Sequence, residues 1–143
     1  MNAEPRRVQV TLESRIESVD LGEELALGMA GAAGLDEDEQ YKLSMAVREV
    51  LINAIQHGNR FDHNKQVRLR LAKNGGTLTV EVNDEGSGFS LRDVPDPRAG
   101  KNRERRSGRG LALAAGIMDE LVVEDHAQRG ALIRMVKRFG GET

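Results

Sequence analysis

At 143 residues, with 38% hydrophobic and 31% charged side chains, the chain fits one globular domain with a sizeable core and leaves too little length for a second. Only 3% of residues are aromatic, none is Trp, and the net charge is -2, which disfavours nucleic-acid binding by base stacking or by general basic attraction. There is no cysteine, so disulfides, thiolate metal sites and cysteine nucleophiles are excluded.

The opening MNAEPRRVQV is charged and is no secretory signal, and the longest apolar run, LALAAGIM at 111–118, is far short of the ~20 residues of a membrane span. A cytoplasmic protein without direct nucleic-acid or membrane contact is expected. Residues 7–13 (RVQVTLE) alternate Val8, Val10 and Leu12 with polar neighbours, the period of a half-buried strand. Ser14 and Glu17 have capping-box spacing for a helix over about 16–32, ending at Gly34. Asp36 and Glu39 repeat that spacing, and the second helix is predicted to reach about His57, with Gly58 as a left-handed cap. Residues 67–72 and 77–83 alternate again around Asn74, Gly75 and Gly76, a β-hairpin pattern.

Periodicity then vanishes from Asp84 to Ser107, a stretch rich in basic residues and holding two of the three prolines. A structureless loop this long in a compact domain is usually a lid or a binding loop. Residues 108–117 read as a glycine-started helix, and 119–125 and 131–138 as two closing strands. The order predicts an α+β two-layer sandwich: a mixed, mainly antiparallel sheet with one face covered by about three helices.

Three elements carry chemistry. In AVREVLINAIQHGN, residues 46–59, Glu49 and Asn53 stand one helical turn apart between apolar neighbours. Taken alone they also fit a solvated pair at a helix margin. Asp84, Gly86 and Gly88 in DEGSGF follow a strand, where glycines allow a ligand to approach closely and the carboxylate can accept from an exocyclic amine. Gly108 and Gly110 open a helix, whose N-terminal amides attract phosphate. The basic side chains of the loop fit equally a solvated charged segment and a lid that neutralises phosphates. His57, His63 and His126 are dispersed and make no recognisable metal set, and no P-loop motif occurs.

In this order, E-x-x-x-N, D-x-G-x-G and G-x-G resemble the N, G1 and G2 boxes of the Bergerat-fold, histidine-kinase-like ATPases. Within that superfamily AVREVLINAIQHGN, NDEGSGF and RRSGRGL look most like the anti-sigma-factor serine/threonine protein kinases of partner-switching systems. The resemblance covers nearly the whole chain and implies one ATPase domain over 1–143 with an ATP lid at about 89–107. It implies Glu49 as general base, Asn53 as Mg²⁺ ligand, Asp84 as adenine-reading carboxylate, and Gly86 and Gly88 as shapers of the ATP pocket. Arg106, Ser107, Gly108, Gly110 and Leu111 match the turn beneath the phosphates, with Arg106 near the terminal one and Arg109 at a variable position within the turn. It further implies a sigma factor and an anti-anti-sigma (STAS-type) protein as partners, and a homodimer. Two alternatives keep the same motifs: a nucleotide-dependent binding module without phosphotransfer, and a switch kinase that activates a phosphatase.

Overall fold

The computed structural model describes residues 6–86, 106–126 and 130–139. Strand β1 (Arg6–Glu13) leads into helices α1 (Glu17–Ala32) and α2 (Glu37–Ile52), and α2 runs on into a π-helical turn, Asn53–Gly58. A hairpin, β2 (Gln66–Asn74) and β3 (Thr77–Asn83), comes next, and α3 (Arg106–Ile117), β4 (Glu120–His126) and β5 (Gly130–Arg138) complete the fold. Among the described residues no helix is long and apolar enough to cross a membrane.

The sheet order is β1-β2-β3-β5-β4, and every described ladder is antiparallel. The expected mixed sheet thus resolves into its antiparallel part, for a topological reason. β3 and β4 run in the same direction, joined through α3, but β5 is inserted between them and pairs with both. Asn74 pairs with Thr77 across the two-residue turn, where Gly75 takes φ 61°, a conformation that suits a glycine.

One face of the sheet is apolar because period-2 alternation places Val67, Leu69, Leu71, Leu78, Val80, Val82, Ile133 and Met135 on one side. Against them pack Leu43, Ala46, Val47, Val50 and Leu51 of α2 and Ala54 of the π turn, all buried, with Val19, Ala26 and Met29 of α1 and Leu111 and Ala114 of α3. Each large side chain buried this way contributes about 1.5–3 kcal/mol, so truncating Leu51 to Ala would cost roughly 2–5 kcal/mol.

Two expected caps take other forms. Asp36 does cap α2, accepting from the Glu39 amide at 2.8 Å. Ser14 does not cap α1, whose start has no side-chain cap; its hydroxyl instead donates to the Lys65 carbonyl and accepts from Asn59. Burial decides this, because a fully buried hydroxyl is held by the long-range partners around it. Nor is Gly58 a left-handed cap: the positive φ values follow it, at Arg60 (54°) and Phe61 (57°). The helix ends by widening, not by a glycine turn.

Candidate functional site

The site gathers at the end of the molecule where α2 becomes π-helical. Up to Ile52 the helix follows its apolar stripe; beyond it the winding widens, and Asn59 donates its amide to the Ala54 carbonyl at 2.8 Å. Bonding from i to i+5 stacks residues five apart on one side, whereas an α-helix would turn Gly58 by about 140° from Asn53. The extra residue therefore brings Asn53 and Gly58 to a common side of the turn.

Asn53 is 3% exposed, and neither Oδ1 nor Nδ2 has a hydrogen-bond partner among the described residues. A buried amide left unsatisfied costs about 1–3 kcal/mol, so in a native fold it points to a ligand or to function. The half-buried Glu49 lies one turn earlier and faces α3: a Cβ built on Gly110 would stand 2.7 Å from Glu49 Oε1. Gly110 is what lets the carboxylate approach the first turns of α3.

Helix α3 begins at Arg106, two residues before the expected glycine, so Gly108 and Gly110 lie inside its first turns. The backbone of Arg106, Ser107, Gly108 and Arg109 forms that start, while the side chains of Arg106, Ser107 and Arg109 lie outside the described part. The Leu111 side chain turns into the core. Gly88 and the expected lid at 89–107, apart from its last two backbone positions, also lie outside the described residues.

Asp84 directly follows β3 and is buried. Its Oδ1 accepts from the amides of Gly86 at 2.9 Å and Ala131 at 3.1 Å. Three glycines make the close fit possible: a Cβ on Gly58 would meet Asp84 Oδ2 at 2.3 Å, on Gly130 the Asp84 carbonyl oxygen at 1.9 Å, and on Gly86 the Gly58 carbonyl oxygen at 1.7 Å. In the sequence Gly58 has the place of a helix cap, and Gly130 falls between the two closing strands. Their role emerges only when three separate segments converge on one carboxylate. Asn59, directly after Gly58 in the motif, is buried beside them.

His57 is half-buried on the same turn. Burial, and then the nearby positive charge of Arg60, hold its imidazole below the ordinary value of 6.5. His63 is exposed, and the side chain of His126 lies outside the described part. Among the described residues no three His, Asp or Glu cluster to hold a metal, so any ion here would rely on a neutral amide and its ligand's own oxygens.

Comparison with known proteins agrees with this arrangement. Residues 12–137 match the model of the histidine kinase-like ATPase domain. The serine-protein kinase RsbW of Bacillus subtilis is 32% identical over 121 residues, covering 80% of this chain and 74% of that protein. An anti-sigma F factor of Thermoanaerobacter sp. (strain X514) is 34% identical over 119 residues, 79% of this chain and 81% of that one. Among solved structures, a Mycobacterium tuberculosis protein with RsbU and RsbW domains aligns with a TM-score of 0.68 at 19% identity, over 93% of this chain. The blue-light activated histidine kinase of Erythrobacter litoralis aligns at 0.56 and 21% identity, over 80% of this chain. This chain spans 32% and 39% of those two longer chains, and at such identity the likeness is one of fold.

Proposed function

We propose, from the premise that this chain belongs to the histidine kinase-like ATPase family, in its branch of serine-protein kinases and anti-sigma factors, that it is an ATP-dependent serine/threonine protein kinase and an anti-sigma factor. In this reading it binds a sigma factor in the cytoplasm, acts as a homodimer, and phosphorylates a small anti-anti-sigma (STAS-type) protein. Phosphorylation stops that protein from competing for the kinase, and sigma stays bound.

The observation that carries this reading is Asn53, a buried amide with no hydrogen-bond partner among the described residues, one turn from the carboxylate of Glu49. An amide oxygen suits Mg²⁺, which prefers hard oxygen ligands and keeps waters and phosphate oxygens around it. When bound, the ion would neutralise charge on the phosphates. Glu49 orients the incoming hydroxyl and takes its proton as the oxygen bonds to the γ-phosphorus and the bond to the departing ADP breaks. Asp84 accepts from the exocyclic amine of adenine, with Gly86 and Gly88 admitting the base. The start of α3, from Arg106 through Gly110, offers amides and cationic side chains to the phosphates. Residues 89–107 close over them as a lid within a single domain of residues 1–143.

The test mixes the protein with γ-labelled ATP, Mg²⁺ and candidate anti-anti-sigma proteins encoded beside its gene. Label should reach a partner serine or threonine, and Glu49→Ala should lower its rate by about 10²–10⁴-fold while nucleotide still binds. Nucleotide binding without label on any candidate would replace the kinase by a nucleotide-dependent binding module. Nucleotide-dependent co-purification of a sigma factor tests the second role.

A further inference from the structure

Asn59 holds a hydrogen-bond node that the phosphotransfer reading does not use. The residue is 1% exposed. Its Nδ2 donates to Ser14 Oγ at 2.8 Å and to the Gln66 carbonyl at 3.0 Å, and its Oδ1 accepts from the Glu85 amide at 2.8 Å. Three of the four places on a side-chain amide are filled, each by a different segment. Asn59 thus ties the end of the π turn to the end of β1, the start of β2 and the turn after β3.

The bond to Glu85 is the informative one. The last ladder-like contact of β3 is the Asp84 amide on the Ala131 carbonyl at 3.0 Å. Glu85 supplies the next backbone donor as the chain leaves the sheet, and Asn59 takes it. The Glu85 carboxylate accepts in turn from the Gln66 amide at 2.9 Å, so the turn is tied twice to the start of β2. Gly58 leaves room for the Asp84 carboxylate, and its neighbour Asn59 fixes the peptide that follows it. Space and tether come from adjacent positions of one helical turn.

We infer that Asn59 is a positioning residue for base recognition: through the Glu85 amide it sets where the Asp84 carboxylate stands, and so how well the protein prefers adenine to guanine nucleotides. It does not touch the nucleotide. The inference rests on the reading of Asp84 given above. Loosening the turn by a fraction of an ångström weakens the hydrogen bond that reads the base and leaves the phosphate contacts intact.

Two substitutions separate positioning from mere stability. Asn59→Leu fills the space and removes all three bonds, whereas Asn59→Asp keeps an oxygen for Glu85 and loses the donors to Ser14 and Gln66. Affinities for ATP and GTP are measured with fluorescent analogues well below each variant's Tm. Asn59→Leu is expected to lower the ATP-over-GTP preference roughly tenfold, the effect of one good hydrogen bond. In the kinase assay the loss should appear in KM for ATP and not in kcat. Asn59→Asp should keep most of the preference despite a lower Tm. A folded Leu variant with unchanged preference, or an Asp variant that loses as much, overturns the inference. If the Leu variant does not fold, amide exchange of the wild type decides: Glu85 should be protected like Val82 in β3, and exchange at a free-loop rate overturns the tether. A wild-type protein that binds no ATP would sink the nucleotide reading instead, while the Glu85 exchange rate would still report on the tether.

Discussion

Two regions of the same sheet obey different rules. Across the helix-free face, register sets Arg70 opposite Glu81 and Glu81 opposite Arg134, and both arginines bond the carboxylate at 3.0 Å. A two-residue turn with a glycine at positive φ closes the hairpin, and local propensity agrees with the fold throughout. Where the sheet meets the end of α2, the helix widens into a π turn, two non-glycine residues take positive φ, an amide is buried with no hydrogen-bond partner among the described residues, and two glycines are pressed against one aspartate while a third is pressed against the Gly58 carbonyl. Sequences break local rules where function needs it, at a cost in stability. The ordered face shows how the chain folds, and the irregular end is where the proposed site residues gather.

Substitutions at the irregular end should therefore have large effects, sometimes of unusual sign. Gly86→Ala is expected to be the most damaging, because its Cβ would meet backbone, the Gly58 carbonyl oxygen at 1.7 Å, which cannot step aside as a side chain could. A loss of roughly 3 kcal/mol in denaturant unfolding, with loss of nucleotide binding, is expected. Stability within about 0.5 kcal/mol of wild type would show that the turn is not held as described.

Asn53→Leu sharpens the contrast from the opposite direction. Replacing an unsatisfied buried amide by an apolar group of similar shape should raise the stability of the nucleotide-free protein by about 1–2 kcal/mol. The same change should abolish the Mg²⁺ dependence of ATP affinity. A variant that is less stable and binds Mg²⁺-ATP as before would refute the ligand role of Asn53.

Much of this division was legible in the sequence. Alternation marked β1, β2 and β3, since a sheet with one buried face imposes period 2 on its strands regardless of tertiary detail, and the two closing strands were legible as short apolar segments flanking a turn. The cap at Asp36 was equally local. What escaped was long-range. Ser14 has capping spacing relative to Glu17, but its hydroxyl partners lie 45 and 51 positions away. The π turn has no composition signal, because one extra residue per turn is set by what the turn must reach. Gly58 and Gly130 resemble ordinary turn glycines until Asp84 is placed between them. Glu49, Asn53 and Asp84 stood out because their spacing and order matched a known family, and burial then distinguished Asn53 from a surface residue.

Helix α1 supplies a glycine with the opposite expectation. Gly28 is exposed, and a Cβ there would meet nothing within 4 Å. Gly28→Ala should stabilise the protein by about 0.5–1 kcal/mol, the difference in helix propensity, and leave nucleotide affinity unchanged. Destabilisation would mean that the helix face meets something that the monomer does not contain.

The smallest effect is expected on the regular face itself. Burial raises the Glu81 carboxyl, but the hydrogen bonds and charges of Arg134 and Arg70 outweigh it and hold the group below its ordinary value of 4.5. A carboxylate so held adds stability that is fully present above about 4.5 and is lost as pH falls through the lower folded value. The arginines are partly exposed, so solvent screens the row and Glu81→Gln should cost under ~1 kcal/mol at pH 7. Unfolding free energies measured from pH 7 down to pH 3 should converge for wild type and variant as Glu81 takes up its proton. A gap that stays constant with pH would assign the loss to packing of the side chain, not to its charge. A loss as large as that of Gly86→Ala would end the distinction between the two regions of the sheet.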